Sequence, residues 1–341
     1  MKILAFLRPH LFNRTMTTKT ERSSIKILAF LLAGLGLLTA ACTSTATSDN
    51  GGLANGADAQ SQEVAQAVSF GEGPAMWRMA DADSEIYLFG TFHLLPAGLQ
   101  WTTPTFDAAM LETEITFTEA DNESPEAVQA IQSAVQRLGL NPPGVTLSST
   151  LGPERAAEFA AVAQQYGVPA AQLEPLRPWL AILSLTQVAF QQAGYDPQAG
   201  AETTILARAN SEMDTLGHFE TAVSQIEALA SLDMIGEFAN TDESLDQLTD
   251  FGGFAEQMLA IWQTGDVDRL DAELVGSVRD SSEEAFDIIF KNRNANWVEQ
   301  IEVMMAGEGD YFLAVGAGHL VGKDSVVDML RSRGYTVTRV Q

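Results

Sequence analysis

Ile86-Tyr87-Leu88-Phe89-Gly90-Thr91-Phe92-His93 and Tyr311-Phe312-Leu313-Ala314-Val315-Gly316-Ala317-Gly318-His319 share one form. Each is a short apolar run that breaks at a glycine and carries a histidine three residues later. The chain holds only four histidines in 341 residues, so two at matched positions point to a shared role. Runs of this length and composition predict strands. Glycine at the end of such a run lets the backbone turn sharply or approach a ligand closely, because it has no Cβ. The histidine that follows then lies at the carboxyl edge of a sheet, where open α/β folds place their ligands.

The flanking sequence fits that reading. Met76-Trp77-Arg78-Met79 and Glu85–Phe89 enclose Ala80-Asp81-Ala82-Asp83-Ser84, which predicts an antiparallel hairpin with a polar turn. Residues 106–111 predict a helix, and 114–119 a strand ending on Glu119, with Asp121 close behind. From Pro125 to about Ala209 the pattern is helical, with Pro153 and Pro178 at helix starts and an apolar helix over 180–190. Met213–Gly217 predicts a third short strand, followed by His218 and Glu220. Amphipathic helices then run to about 307, with a break at Gly265. After Tyr311–Val315 come a helix over 323–333, capped by Gly334, and a last strand over 335–340. Strands separated by helical stretches predict an α/β fold, with a mainly parallel central sheet flanked by helices and a large helical insertion. The domain spans 68–341.

The N-terminal segment is of another kind. Lys26 precedes an apolar run from Ile27 to Leu38 that closes on Thr39-Ala40-Ala41-Cys42. Residues 1–41 therefore predict a secretory leader, too short to span as an ordinary membrane helix. Lys2–Phe6 recurs at 26–30, which makes Met16 an alternative start. Cys42 is the only cysteine, and small residues before it resemble the bacterial lipobox. The expectation is an exported protein of the cell envelope, lipid-anchored to the membrane through Cys42, with a soluble periplasmic form as the alternative. Residues 42–67, rich in Ser, Thr, Gly and Asn, predict a disordered tether. Without 1–41 the chain has 13 basic and 44 acidic residues, a formal charge of −31. That balance repels phosphates and excludes a nucleic-acid partner. The sequence leaves the oligomeric state open.

Four predicted strands end in polar groups: His93, Glu119, Glu220 and His319. Parallel neighbours would bring them to one edge. Two imidazoles with one or two carboxylates form a donor set for a divalent metal such as Zn, Mn, Fe or Co. A metal with an open position activates water, which makes hydrolysis the natural reaction. A metal-free alternative uses one histidine as general base, oriented by a carboxylate. His218 has no matched partner and reads as structural. Glu220 has an alternative reading as a cap of the following helix. No P-loop, GxGxxG, HExxH or GxSxG motif occurs.

From about residue 72 to 341 the chain resembles the TraB/GumN family, which includes the TIKI proteases. The marks are Pro74-Ala75-Met76-Trp77, the first strand-Gly-x-x-His segment, Trp101, Pro178-Trp179 and Gly200-Ala201-Glu202. Arg293-Asn294 with Trp297, and Val315–Leu320, complete the set. The resemblance implies a metal-dependent hydrolase of peptidase type, using Mn, Co or Zn, and a peptide or small-molecule substrate. It implies His93, Glu119 and His319 as metal ligands, Glu220 as a further ligand or base, and Arg293 as a group that stabilises negative charge. His218-Phe219 stands where the family usually has a Leu before the later acidic residue. Wider similarity to erythromycin-esterase-like and ChaN-like folds implies an α/β core. It also supplies two rivals: a metal-independent esterase, and a non-enzymatic periplasmic or haem-handling lipoprotein.

Overall fold

The computed structural model describes residues 73–236, Leu245 and 248–341. The expected leader, Cys42 and the tether lie outside the described residues. Among the described residues no helix is long and apolar enough to cross a membrane.

Strands β1 (Met76–Ala80) and β2 (Ser84–Thr91) form the hairpin. The Asp81 carboxylate accepts from the N–H groups of Asp83 and Ser84 at 3.2 and 2.9 Å, which closes the turn. The short β3 (Leu95–Pro96) precedes α1 (Pro104–Glu112) and β4 (Ile115–Asp121). Helices α2 (Pro125–Leu138), α3 (Pro153–Gln165) and α4 (Pro178–Gln192) follow, each with proline in its first turn. Next come β5 (Tyr195–Asp196), α5 (Ala201–Glu212), β6 (Thr215–Thr221) and α6 (Ala222–Leu232). The chain ends through α7 (Phe251–Gln263), α8 (Asn292–Met305), β7 (Gly309–Gly316), α9 (Val326–Ser332) and β8 (Thr338–Arg339), with shorter helical turns between.

The main sheet has six strands in the order β6-β4-β7-β2-β1-β8. β6, β4, β7 and β2 run parallel, and β1 is antiparallel to both its neighbours. β3 and β5 form a separate two-stranded sheet. The fold is therefore α/β, with a mixed but mostly parallel sheet flanked by helices. After β4 the chain moves outward to β6, whereas after β7 it moves across to β8. Adjacent strands whose chains depart in opposite directions open a crevice at their carboxyl ends.

Among the boundaries that differ from the sequence reading are those of the third and last strands. The third strand runs from Thr215 to Thr221, because Met213 takes a left-handed conformation (φ 68) that closes α5. The strand thus carries His218 and Glu220 rather than preceding them. The last strand is confined to Thr338–Arg339.

An aromatic cluster fixes the carboxyl end of β2. Phe89 packs on Trp101 and Phe106, and Phe92 stacks on Trp262 of α7 with centroids 5.2 Å apart. The Trp262 indole N–H donates to the Gly90 carbonyl at 2.8 Å. Trp262→Ala should cost about 3–5 kcal/mol in urea unfolding, through the cavity left behind. Trp262→Phe keeps most of the volume but leaves that carbonyl unpaired, for a loss of about 1–3 kcal/mol. An Ala variant as stable as the native chain would contradict this packing.

Candidate active site

Five candidates from different strands and helices meet at the carboxyl edge. His93 follows β2, Glu119 lies near the end of β4, Glu220 near the end of β6, and His319 follows β7. Arg293 comes from the first turn of α8, just after a π-helical turn at Asp287–Lys291. Such turns recur at functional sites.

Arg293 is the hub. Its NH2 donates to Glu119 at 2.6 Å and also to Glu220, and its Nε donates to Glu220 at 2.9 Å. NH1 bonds the Ile289 carbonyl at 3.1 Å and the His319 Nε2 at 3.1 Å. Gln225 of α6 donates to Glu119 and Glu220 at 3.0 and 3.2 Å. The other Glu119 oxygen accepts the Gly316 N–H at 2.7 Å. Glu220 does not cap α6; Thr221 does, accepting from the Ser224 N–H. His218 donates or accepts at Thr118 Oγ1 (2.8 Å) and lines the cleft. Asp121 accepts from the N–H groups of Glu123 and Ser124, turning the chain into α2.

Glu202 joins the group without having been marked as a ligand by the sequence reading. It lies in the first turn of α5, with one oxygen 2.6 Å from His93 Nδ1 and the other 3.3 Å from the Thr91 hydroxyl. Its placement follows from Gly200, where a Cβ would lie 2.2 Å from the His93 carbonyl oxygen. Only glycine lets the start of α5 come this close. The Ala201 N–H then bonds the Phe92 carbonyl at 2.9 Å.

One donor atom each from His93, Glu119 and Glu202 lie within 4.8 Å of one another. One imidazole and two carboxylates suit a divalent cation of intermediate hardness. Space beside Glu119, His93 and His319 is kept open at Gly316. A Cβ there would reach within 3.0 Å of a Glu119 oxygen, 3.6 Å of His319 Cδ2 and 3.8 Å of His93 Nε2. The residues present therefore fit a metal. Beyond them opens a cleft of about 450 Å³, with polar walls at Asp121, Asn122 and Gln198 and apolar walls at Leu206, Leu216 and Leu229.

The two histidines sit in opposite fields. Burial works against a charged His93, but the Glu202 carboxylate, with Glu119 behind it, pushes it up to about 9. Burial and then the Arg293 guanidinium push His319 down to about 3, so it is neutral. Burial also opposes ionisation of Glu119, yet Arg293 and both histidines hold it well below the usual carboxylate range. Glu220 is shifted upward, chiefly by burial and against the pull of Arg293.

The chain matches the TraB/PrgY/gumN family over residues 75–339, and it belongs to that family. It is 21% identical over 265 residues to "Uncharacterized protein YbaP" of Escherichia coli (strain K12), covering 76% of this chain and 92% of that protein. The corresponding protein of Shigella flexneri is 21% identical over 72% of this chain and 87% of its own length. A "Metalloprotease TIKI homolog" of Amphimedon queenslandica is 29% identical over 111 residues, which is 31% of this chain and 22% of that protein. No solved structure matches the chain.

These fields make stability depend on pH in two directions. His93 binds its proton more tightly folded than unfolded, so its contribution is complete below pH 6.5 and is lost as pH rises toward about 9. His319 binds its proton less tightly when folded, so its contribution is complete above pH 6.5 and is lost as pH falls toward about 3. The melting temperature of metal-free protein should peak near neutral pH. His93→Gln should flatten the alkaline limb and His319→Gln the upper part of the acid limb. A native melting temperature that stays level from neutral pH to about 9 would refute the His93 assignment.

Proposed function

We propose that the protein is a metal-dependent hydrolase of peptidase type, held at the cell envelope through its N-terminal segment and Cys42. The observation that carries this reading is the His93, Glu119 and Glu202 donor set, grouped within 4.8 Å at the floor of a cleft. Membership of the TraB/PrgY/gumN family and the partial likeness to a protein named as a metalloprotease support it.

When bound, the cation would polarise a carbonyl and sharpen the acidity of water. The chain's own groups do the rest. Glu202 orients the His93 ring through Nδ1, and the Gly316 N–H and Gln225 hold the two Glu119 oxygens. Arg293 directs its N–H groups at Glu119, Glu220, His319 and the Ile289 carbonyl, so it holds the carboxylates in place. Glu220, shifted upward by burial against the pull of Arg293, is the carboxyl suited to take and return a proton. The cleft walls exclude part of the solvent and offer both polar and apolar contacts to a peptide.

The close His93–Glu202 pair also supports a second, metal-free reading, in which His93, oriented by Glu202, acts as a general base once its proton is released toward about pH 9. Chelation separates the two. With fluorescence-quenched peptides as substrates, hydrolysis should vanish on chelator treatment and return with Mn, Co or Zn. His93→Gln and Glu202→Gln should each lower the rate at least about 100-fold and reduce bound metal in elemental analysis. Undiminished hydrolysis after complete metal removal would favour the dyad and overturn the metal reading.

A further inference from the structure

Asn294, 1% exposed, stands next to Arg293 on α8 and was not among the expected site residues. Its side-chain amide is fixed from both ends. Nδ2 donates to the Asp324 carbonyl at 2.8 Å, and a carbonyl can only accept. Oδ1 must therefore be the atom 2.6 Å from His319 Nδ1. An amide oxygen has no proton to give, so Nδ1 of His319 carries the hydrogen.

The other ring nitrogen agrees. Nε2 lies 3.1 Å from Arg293 NH1, which can only donate, and 3.8 Å from a Glu119 oxygen. The opposite tautomer would set an N–H against the guanidinium and a lone pair against the Asn294 oxygen, two repulsive contacts in a buried place. The ring plane is fixed as well, between Trp297 at 4.4 Å and Phe290 at 5.2 Å between centroids. A small cavity of about 40 Å³ is lined by Thr91, His93, Glu119, Arg293, Gly316 and His319.

We propose that Asn294 is a positioning residue that fixes His319 as the Nδ1–H tautomer, so that Nε2 stays an unprotonated acceptor beside Arg293 and Glu119. A histidine locked in this way keeps its Nε2 lone pair as an acceptor, taken here by Arg293 NH1, which a cation at that nitrogen would have to displace. Groups that orient a histidine through its far nitrogen commonly tune metal sites. The consequence for a cation rests on the hydrolase reading above, but the tautomer itself does not.

The test uses the full chain labelled with ¹⁵N at its four histidines, with His319 assigned by the signal lost in His319→Gln. Long-range ¹H–¹⁵N spectra of the native protein should show His319 protonated at Nδ1 and bare at Nε2. Asn294→Leu, which removes the acceptor, should mix or reverse that signature and weaken zinc binding roughly 10–100-fold in a competition titration. Asn294→Asp restores an acceptor and should keep the Nδ1–H signal. A native His319 protonated at Nε2 would overturn the proposal, and so would an unchanged spectrum in Asn294→Leu. If the Leu variant does not fold, the native and Asp spectra still decide. Native protein that binds no zinc yet shows the Nδ1–H signature would sink the metal reading while leaving the Asn294 assignment standing.

Discussion

The site depends on one part-buried cation, the Arg293 guanidinium. Glu119 and Glu220 both hydrogen-bond Arg293 and Gln225, and two ionised carboxylates this close in a low-dielectric setting repel each other strongly. The guanidinium between them removes that conflict, and its planar fork reaches both carboxylates at once. In doing so Arg293 ties α8 to β4 and β6, and through His319 to the turn after β7. A lysine, with one point charge and no fork, could not make these contacts together. The π-helical turn before α8 belongs to the same device, since NH1 reaches back to its Ile289 carbonyl.

Space is the second constraint, and glycines supply it in two places. At Gly316 the missing side chain leaves room between Glu119, His93 and His319, while the backbone N–H still holds Glu119. At Gly200 the start of α5 lies against the backbone of His93, which delivers Glu202 to the ring. Neither position has a left-handed backbone. Each glycine is needed for close approach rather than for turning, which for Gly316 decides between the two roles that its place at a strand end left open.

The repeated strand-Gly-x-x-His form was legible because strand patterning and a short spacing are local properties. Parallel pairing then follows from helices between strands, and Glu119 from its place at a strand end. Glu202 was not legible as a ligand. It sits 109 residues from His93 at the start of a helix, where an acidic residue is common for electrostatic reasons alone. Its only signal was the tripeptide Gly200-Ala201-Glu202, whose glycine gains meaning once the His93 carbonyl is seen against it. Asn294 was hidden for a similar reason, since its partners Asp324 and His319 are fixed only by the packing of α8 against the turns after β7. The third strand shifted because one residue, Met213, closes the preceding helix in a conformation that side chains rarely adopt.

The two matched histidines, alike in sequence, end in different charge states. At neutral pH His93 holds a proton that Glu202 and Glu119 stabilise, while His319 is stripped of its charge by burial and Arg293. Environments that drive paired titratable groups apart are the means by which one site performs both acid and base tasks. The asymmetry also sets the terms on which a cation would enter. Metal ligands must be deprotonated, so His93 has to release its proton first, whereas Glu119 is already ionised. The carboxylate that holds that proton on His93 is itself part of the donor set. Proton and cation would thus compete for the same pair of groups, and the binding of one would be the release of the other.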